Sequence, residues 1–231
     1  MKWIPTESSK PSDFSDHTLI VPSCSNSNCD QIAIDILCFT FGKFVGRILS
    51  DNLDFVASPD PFDANSNHIA STIDVYECSL PSLGKAILLR VASLLPGQKR
   101  KILNYSKELI DFSKLTNIKD ILFLRSVPSI FCVDAQIKDW PNPVRAIGPL
   151  ATKLNIKQLE DYDETQEALS NAVRGELFEC LKRASNVPLT AVFIFFRDED
   201  IVGCALQIAK AVCGAEELKL PPSYAKLFGS E

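Results

Sequence analysis

Apolar residues along the chain fall into two kinds of run. The first kind is nearly continuous and short. "HTLIVPS" (17–23) is stopped by Pro22, and "KAILLRVAS" (85–93), "KDILFLRSV" (119–127) and "PLTAVFIFFRDED" (188–200) are apolar almost throughout. Runs of this length and character predict strands buried on both faces. "STIDVYECS" (71–79) alternates instead, with Ile73 and Val75 on one face and Thr72, Asp74, Tyr76 and Cys78 on the other. The turn formers in "LPSLG" (80–84) predict that it makes a hairpin with 85–93. Segments 43–50 and 53–58 read as shorter strands, and 129–136 as one more.

The second kind recurs every three or four residues. Ile32, Ile36, Leu37 and Phe39 predict a helix over 28–42, with Asn28 or Asp30 to cap it and Gly42 to stop it. Ile102, Tyr105, Leu109 and Phe112 predict another over 97–117. A third covers 165–185, where Gly175 is a soft spot costing about 1 kcal/mol relative to alanine. A fourth covers 198–214, capped by Asp198 or Asp200 and closed by Gly214. Between these lie a turn-rich loop (58–67), a proline-rich extended stretch (139–150) and an acidic stretch (155–164).

Apolar strands separated by amphipathic helices predict a single-domain α/β fold, a mixed, mostly parallel sheet flanked by helices on both faces. The expected organisation is a polar lead-in over 1–16 and one α/β domain over 17–231 that includes the C-terminal tail. With 231 residues the chain is long enough to bury about 70–75% of its unfolded surface without covalent staples.

Charge and cysteine usage narrow the function. The net charge of −5 argues against a general nucleic-acid binder, which needs a basic patch. Neither a secretion signal nor an 18-residue apolar window is present, so the expected location is cytoplasmic and nuclear. The eight cysteines are then expected as reduced thiols, and none pairs at zinc-ligand spacing with a second pair.

No catalytic constellation emerges. His17 and His68, the two histidines, lack the sequence neighbourhood of a nucleophile. "GKFVGR" (42–47) is not a phosphate-binding loop, and "DANSNHIASTID" (63–74) fails as a calcium loop at its sixth and twelfth positions. Asp198, Glu199 and Asp200 read as helix caps. Asn28 and Gln31 stand in the first turn of a helix, where backbone N–H groups attract an anion, but no glycine or cation accompanies them. The tail "LPPSYAKLFG" is unusual, because one helical turn would place Tyr224, Leu227 and Phe228 on one side. Such a tail either packs on its own domain or inserts into a partner.

Two stretches resemble a known family. "NCDQIAIDIL" (28–37), following the strand "HTLIVP", is similar to the N-terminal signature of the proteasome assembly chaperone 2 family, matched at Asn28, Gln31, Ala33, Asp35 and Leu37. The tail resembles that family's closing motif at Pro222, Ser223, Tyr224, Leu227, Phe228 and Gly229. The resemblance implies a non-enzymatic chaperone subunit without cofactor or metal. It implies a heterodimer with proteasome assembly chaperone 1 that binds the α subunits of the forming 20S proteasome, favours correct ring assembly and prevents off-pathway association. Tyr224, Leu227, Phe228, Asn28 and Gln31 are the expected partner-binding residues. Some members of the wider group end in a hydrophobic-Tyr-any tail; this sequence ends Gly229-Ser230-Glu231. That departure favours packing of the tail on its own domain or at the dimer interface. The alternative is an α/β enzyme of phosphorylase or hydrolase type acting on a phosphate- or nucleoside-like ligand.

Overall fold

A computed structural model describes residues 1–6, 13–24, 28–63, 65–93, 97–133, 143–160, 167–196 and 200–224. The strands are β1 (Lys2–Pro5), β2 (Thr18–Pro22), β3 (Lys43–Leu49), β4 (Ala57–Pro59), β5 (Ile69–Ser71), β6 (Ile73–Leu80), β7 (Gly84–Val91), β8 (Asp120–Pro128), β9 (Val144–Ile147) and β10 (Leu189–Phe196). The helices are α1 (Cys29–Phe41), α2 (Lys99–Leu115), α3 (Leu150–Lys153), α4 (Glu167–Arg174), α5 (Glu176–Ala184) and α6 (Ile201–Cys213). Eight strands form one sheet in the order β1-β3-β6-β7-β2-β8-β10-β9, while β4 and β5 make a separate two-stranded ribbon. Strands β7, β2, β8 and β10 are parallel neighbours, and β6–β7 is the expected hairpin. β3 runs with those four, and β1, β6 and β9 run against them, so the sheet is mixed with most strands in one direction.

Strand alternation sorts the core into two layers. On one face Leu19, Val21, Ile87, Ile121, Phe123 and Phe193 pack under α2 and α5, where Phe178 lies between the rings of Phe123 and Phe193. On the other face Ile20, Leu88, Leu122 and Val192 pack under α1 and α6. The face read at three- and four-residue spacing in 97–117 is the contact face of α2, where Ile102, Tyr105, Leu109 and Phe112 are buried; in α6 Ile208 and Val212 are fully buried. Asp200 caps α6 by accepting the Gly203 N–H at 2.7 Å, and Gly214 closes it in the left-handed region, as expected. Asp198 and Glu199 lie outside the described residues.

Four expectations need correction. The lead-in over 1–16 is not polar filler throughout: residues 2–5 add β1 to the sheet edge, and Trp3 packs edge-on against Phe112 at 5.7 Å. The single helix over 165–185 is two, because Gly175 adopts φ 76° and ψ 154° and breaks it. Of the expected strand 129–136, residues Ser129–Phe131 instead form a 3-10 turn after Pro128, and 134–136 lie outside the described residues. Of the expected strand 53–58, only its end joins β4.

Candidate functional site

The chain path creates a switch point at β2. From β2 the chain passes through α1 toward β3 on one side, whereas β7 connects through α2, on the opposite face, to β8 on the other. In open α/β sheets the crevice at the carboxyl ends of such strands is where ligands bind. α1 starts there. Asn28 is exposed at its N-cap position, in the left-handed region at φ 57°, with no capping bond from its side chain among the described residues. Gln31 is half-buried, and its Nε2 donates to the carbonyls of Val91 (2.9 Å) and Ser93 (3.2 Å). It therefore ties the first turn of α1 to the end of β7.

Asp30, between them, is fully buried. It accepts from the Ser23 N–H (2.6 Å), the Ser23 hydroxyl (2.7 Å) and the Ser126 hydroxyl (2.7 Å). Burial pushes its carboxyl above the usual aspartate range, against those hydrogen bonds, which favour the ionised form. A carboxylate in the first turn of a helix complements its dipole. The negative charge that an external anion would bring is thus supplied by the chain itself, and the start of α1 is a clamp joining β2, β8 and α1.

Further along α1 lies a second polar cluster, beneath the C-terminal tail. Residues 215–224 leave α6 and cross back over α1 as a strap. Lys219 N–H donates to Thr40 Oγ1 at 3.1 Å, Ser223 Oγ donates to the Pro61 carbonyl at 3.2 Å, and Leu218, Leu220 and Tyr224 pack against the core. Tyr224 Oη donates to Asp35 Oδ2 at 2.6 Å. Asp35 Oδ1 stands 3.0 Å from Arg90 Nε, and Arg90 Nη1 stands 3.7 Å from Asp74 Oδ2. All three charged side chains are nearly or fully buried, Asp74 at 0% exposure. Burial raises the carboxyls of Asp35 and Asp74, and it raises the Tyr224 hydroxyl, helped by the Asp35 charge. Burial also works against the Arg90 charge, but Asp35 and Asp74 outweigh it and hold the guanidinium protonated. A carboxylate pair under water exclusion requires such a counter-charge.

The structure therefore separates the expected partner-binding residues. Asn28 and Gln31 stand at the switch point; Tyr224 is docked on its own domain; Leu227 and Phe228 lie outside the described residues. The sequence reading singled out Asp30 only as a cap and passed over Asp35, Arg90 and Asp74 as a group. The signal was there: "AIDIL" and "AILLRV" each put one charge inside a run that must be buried. Such a charge needs a partner from elsewhere in the chain. His17 and His68 take structural places, His17 with Nε2 3.1 Å from Glu77 Oε1 and His68 edge-on to the Phe44 ring at 4.6 Å. All eight cysteines are free thiols. Large side chains at the surface include Phe55 (79% exposed), Ile69 (61%) and Ile130 (82%).

Comparison with known proteins bears on the fold first. The chain matches the crystal structure of PbaA from Pyrococcus furiosus, an archaeal homolog of proteasome-assembly chaperone, with a TM-score of 0.60 and 13% identity over 93% of this chain and 88% of that one. At this identity the likeness is one of fold. No family model matches the chain. By sequence it is similar to proteasome assembly chaperone 2 of Bos taurus, 27% identical over 99% of this chain and 97% of that protein. Proteasome assembly chaperone 2 of Mus musculus is 29% identical over 60% of this chain and 52% of that protein. The resemblance read from the two end motifs is thereby borne out at the level of sequence similarity: relatives named proteasome assembly chaperone 2 match this chain at 22–29% identity.

Proposed function

We propose that this chain is a non-catalytic subunit of a proteasome assembly chaperone, working in the cytosol and nucleus. In this reading it pairs with a proteasome assembly chaperone 1 protein, and the pair binds the α subunits of the forming 20S proteasome. The observation that carries the reading is the similarity to proteasome assembly chaperone 2 across 99% of the chain, together with a fold like that of PbaA. The mechanism is thermodynamic: a chaperone of this kind shifts an assembly equilibrium only by binding an intermediate more tightly than the off-pathway product. Asn28, Gln31 and the tail residues Tyr224, Leu227 and Phe228 are the proposed contacts. Asn28 and Gln31 suit that role through their place at the switch-point crevice, and Tyr224 by fixing where the last seven residues start.

The test is co-expression with a proteasome assembly chaperone 1 protein, followed by affinity capture and addition of purified 20S α subunits. A stable two-chain complex that retains α subunits is expected. A chain that stays monomeric and recovers none of them overturns the reading.

A further inference from the structure

The Tyr224–Asp35 bond is one end of a longer polar chain through the interior. From Tyr224 Oη it passes to Asp35 (2.6 Å), from Asp35 to Arg90 (3.0 Å) and from Arg90 to Asp74 (3.7 Å). Asp74 in turn accepts from the Ser71 hydroxyl at 2.8 Å and from the Ser71 N–H at 3.2 Å. Ser71 is the last residue of β5, opposite Ala57 of β4, so the chain ends on the β4–β5 ribbon. Arg47 reinforces that end, with Nε 3.5 Å from Asp74 Oδ1 and Nη2 donating to the Ile69 carbonyl. Both ends are weakly held elements. A two-stranded ribbon of three residues per strand is marginal by itself, and the strap is held by a few hydrogen bonds, with Glu216, Glu217, Lys219 and Pro222 exposed.

We infer that the strap and the ribbon are coupled through this relay: seating of Tyr224 on Asp35 frees Arg90 to serve Asp74, and Asp74 then holds Ser71 and with it the ribbon. The physical reason is competition between two buried carboxylates for the buried Arg90 guanidinium, Asp74 having in addition the partly exposed Arg47 at 3.5 Å. Asp35 has two partners while Tyr224 is seated. Without the hydroxyl it leans on Arg90 alone, the 3.7 Å contact to Asp74 weakens, and Asp74, left with the partly exposed Arg47 at 3.5 Å, holds Ser71 less firmly. Two elements far apart in sequence thus share one charge balance, and the ribbon that presents Ile69 at the surface responds to the strap. The inference concerns this chain alone and stands or falls independently of any partner.

Hydrogen exchange followed by mass spectrometry on the full chain tests it. In Tyr224→Phe, peptides covering 69–71 are expected to exchange at least about fivefold faster than in the parent, the scale of a coupling near 1 kcal/mol. In Asp35→Asn, Arg90 loses its competing carboxylate and goes to Asp74, so the same peptides exchange no faster than in the parent. Coupling is reciprocal, so Ser71→Ala is expected to speed exchange over 215–224 by a similar factor, which keeps the test open if Tyr224→Phe folds poorly. Unchanged exchange at 69–71 in Tyr224→Phe overturns the coupling. So does equal acceleration at 69–71 in Tyr224→Phe and Asp35→Asn, which is general loosening, or an unmoved strap in Ser71→Ala.

Discussion

Tyr224 and Asp35 are 189 positions apart in sequence, yet Oη of one lies 2.6 Å from Oδ2 of the other. The contact settles how the first part of the tail is placed: up to Tyr224 it is docked on the domain that precedes it. Removing only the hydroxyl leaves a buried carboxylate oxygen short of a donor. Tyr224→Phe is therefore expected to cost about 1–3 kcal/mol, the range for losing a hydrogen bond to a charged group. Ser223→Ala, which removes the 3.2 Å bond to the Pro61 carbonyl, is expected to cost less. Urea unfolding checks both, as a lower midpoint at unchanged slope.

Arg90 is the residue on which that cluster depends most. It is the counter-charge for both Asp35 and Asp74, and its side chain is 9% exposed. Arg90→Met keeps most of the volume and strands Asp35 fully and Asp74 in part, since Arg47 still stands 3.5 Å from Asp74, which is expected to cost about 3–5 kcal/mol. Adding Asp35→Asn to Arg90→Met removes one of the stranded charges. The double variant is then expected to be more stable than the sum of the two single losses implies. A double-mutant cycle of unfolding free energies reads this directly, and strict additivity would contradict the shared-counter-charge picture.

The sequence shows what depends on local pattern. Strands such as 119–127 and 188–200 are recognisable because burial on both faces forces nearly every position to be apolar. α2 is recognisable because its contact face repeats at three and four. β1 was missed because four residues of alternating exposure carry little signal beside a proline, although Trp3 and Ile4 were the clue. The helix break at 175 was seen as a weakness but not as a break. Deciding that requires knowing that Arg125 from β8 arrives at the same place. The buried charge cluster was harder still: Asp35, Arg90 and Asp74 sit in three separate apolar or alternating runs, and only the sheet order brings β6, β7 and α1 together.

The buried carboxylates give an unusual pH dependence. Asp30, Asp35 and Asp74 all have carboxyls raised above the ordinary value, with burial as the leading cause. The native chain therefore binds these protons more readily than the unfolded chain. Their contribution to stability is fully present below the unfolded aspartate value, and it is lost as pH rises through the raised native values. Asp30 is the cleanest probe. Its side chain faces the hydroxyls of Ser23 and Ser126, and its charge is felt by the Arg125 guanidinium. Asp30→Asn keeps the shape and cannot ionise. In a series of melting temperatures from pH 7 down to pH 5, the melting temperature of the variant minus that of the parent is expected to fall steadily as pH falls, an advantage shrinking or a deficit widening. A difference that stays constant across the series would show that Asp30 titrates alike in the folded and unfolded chain.

Gly175 links the backbone break to the sheet. Its φ of 76° and ψ of 154° fall in a region that essentially only glycine occupies. A Cβ added there would stand 2.6 Å from Arg125 Cζ. That guanidinium is itself engaged, with Nε donating to the Val173 carbonyl at 2.7 Å and Nη2 to the Ala172 carbonyl at 3.1 Å, so it closes the C-terminal end of α4. Gly175→Ala thus carries two separate costs: backbone strain of about 1–3 kcal/mol and displacement of the group that satisfies the last carbonyls of the helix. The two costs separate by changing Arg125. In an Arg125→Met background the capping bonds are already gone and a flexible side chain replaces the planar one. Adding Gly175→Ala there is expected to cost only the backbone part, less than the same change costs in the parent chain. Equal costs in both backgrounds, measured by denaturant unfolding, would mean that Arg125 does not set the geometry of the break.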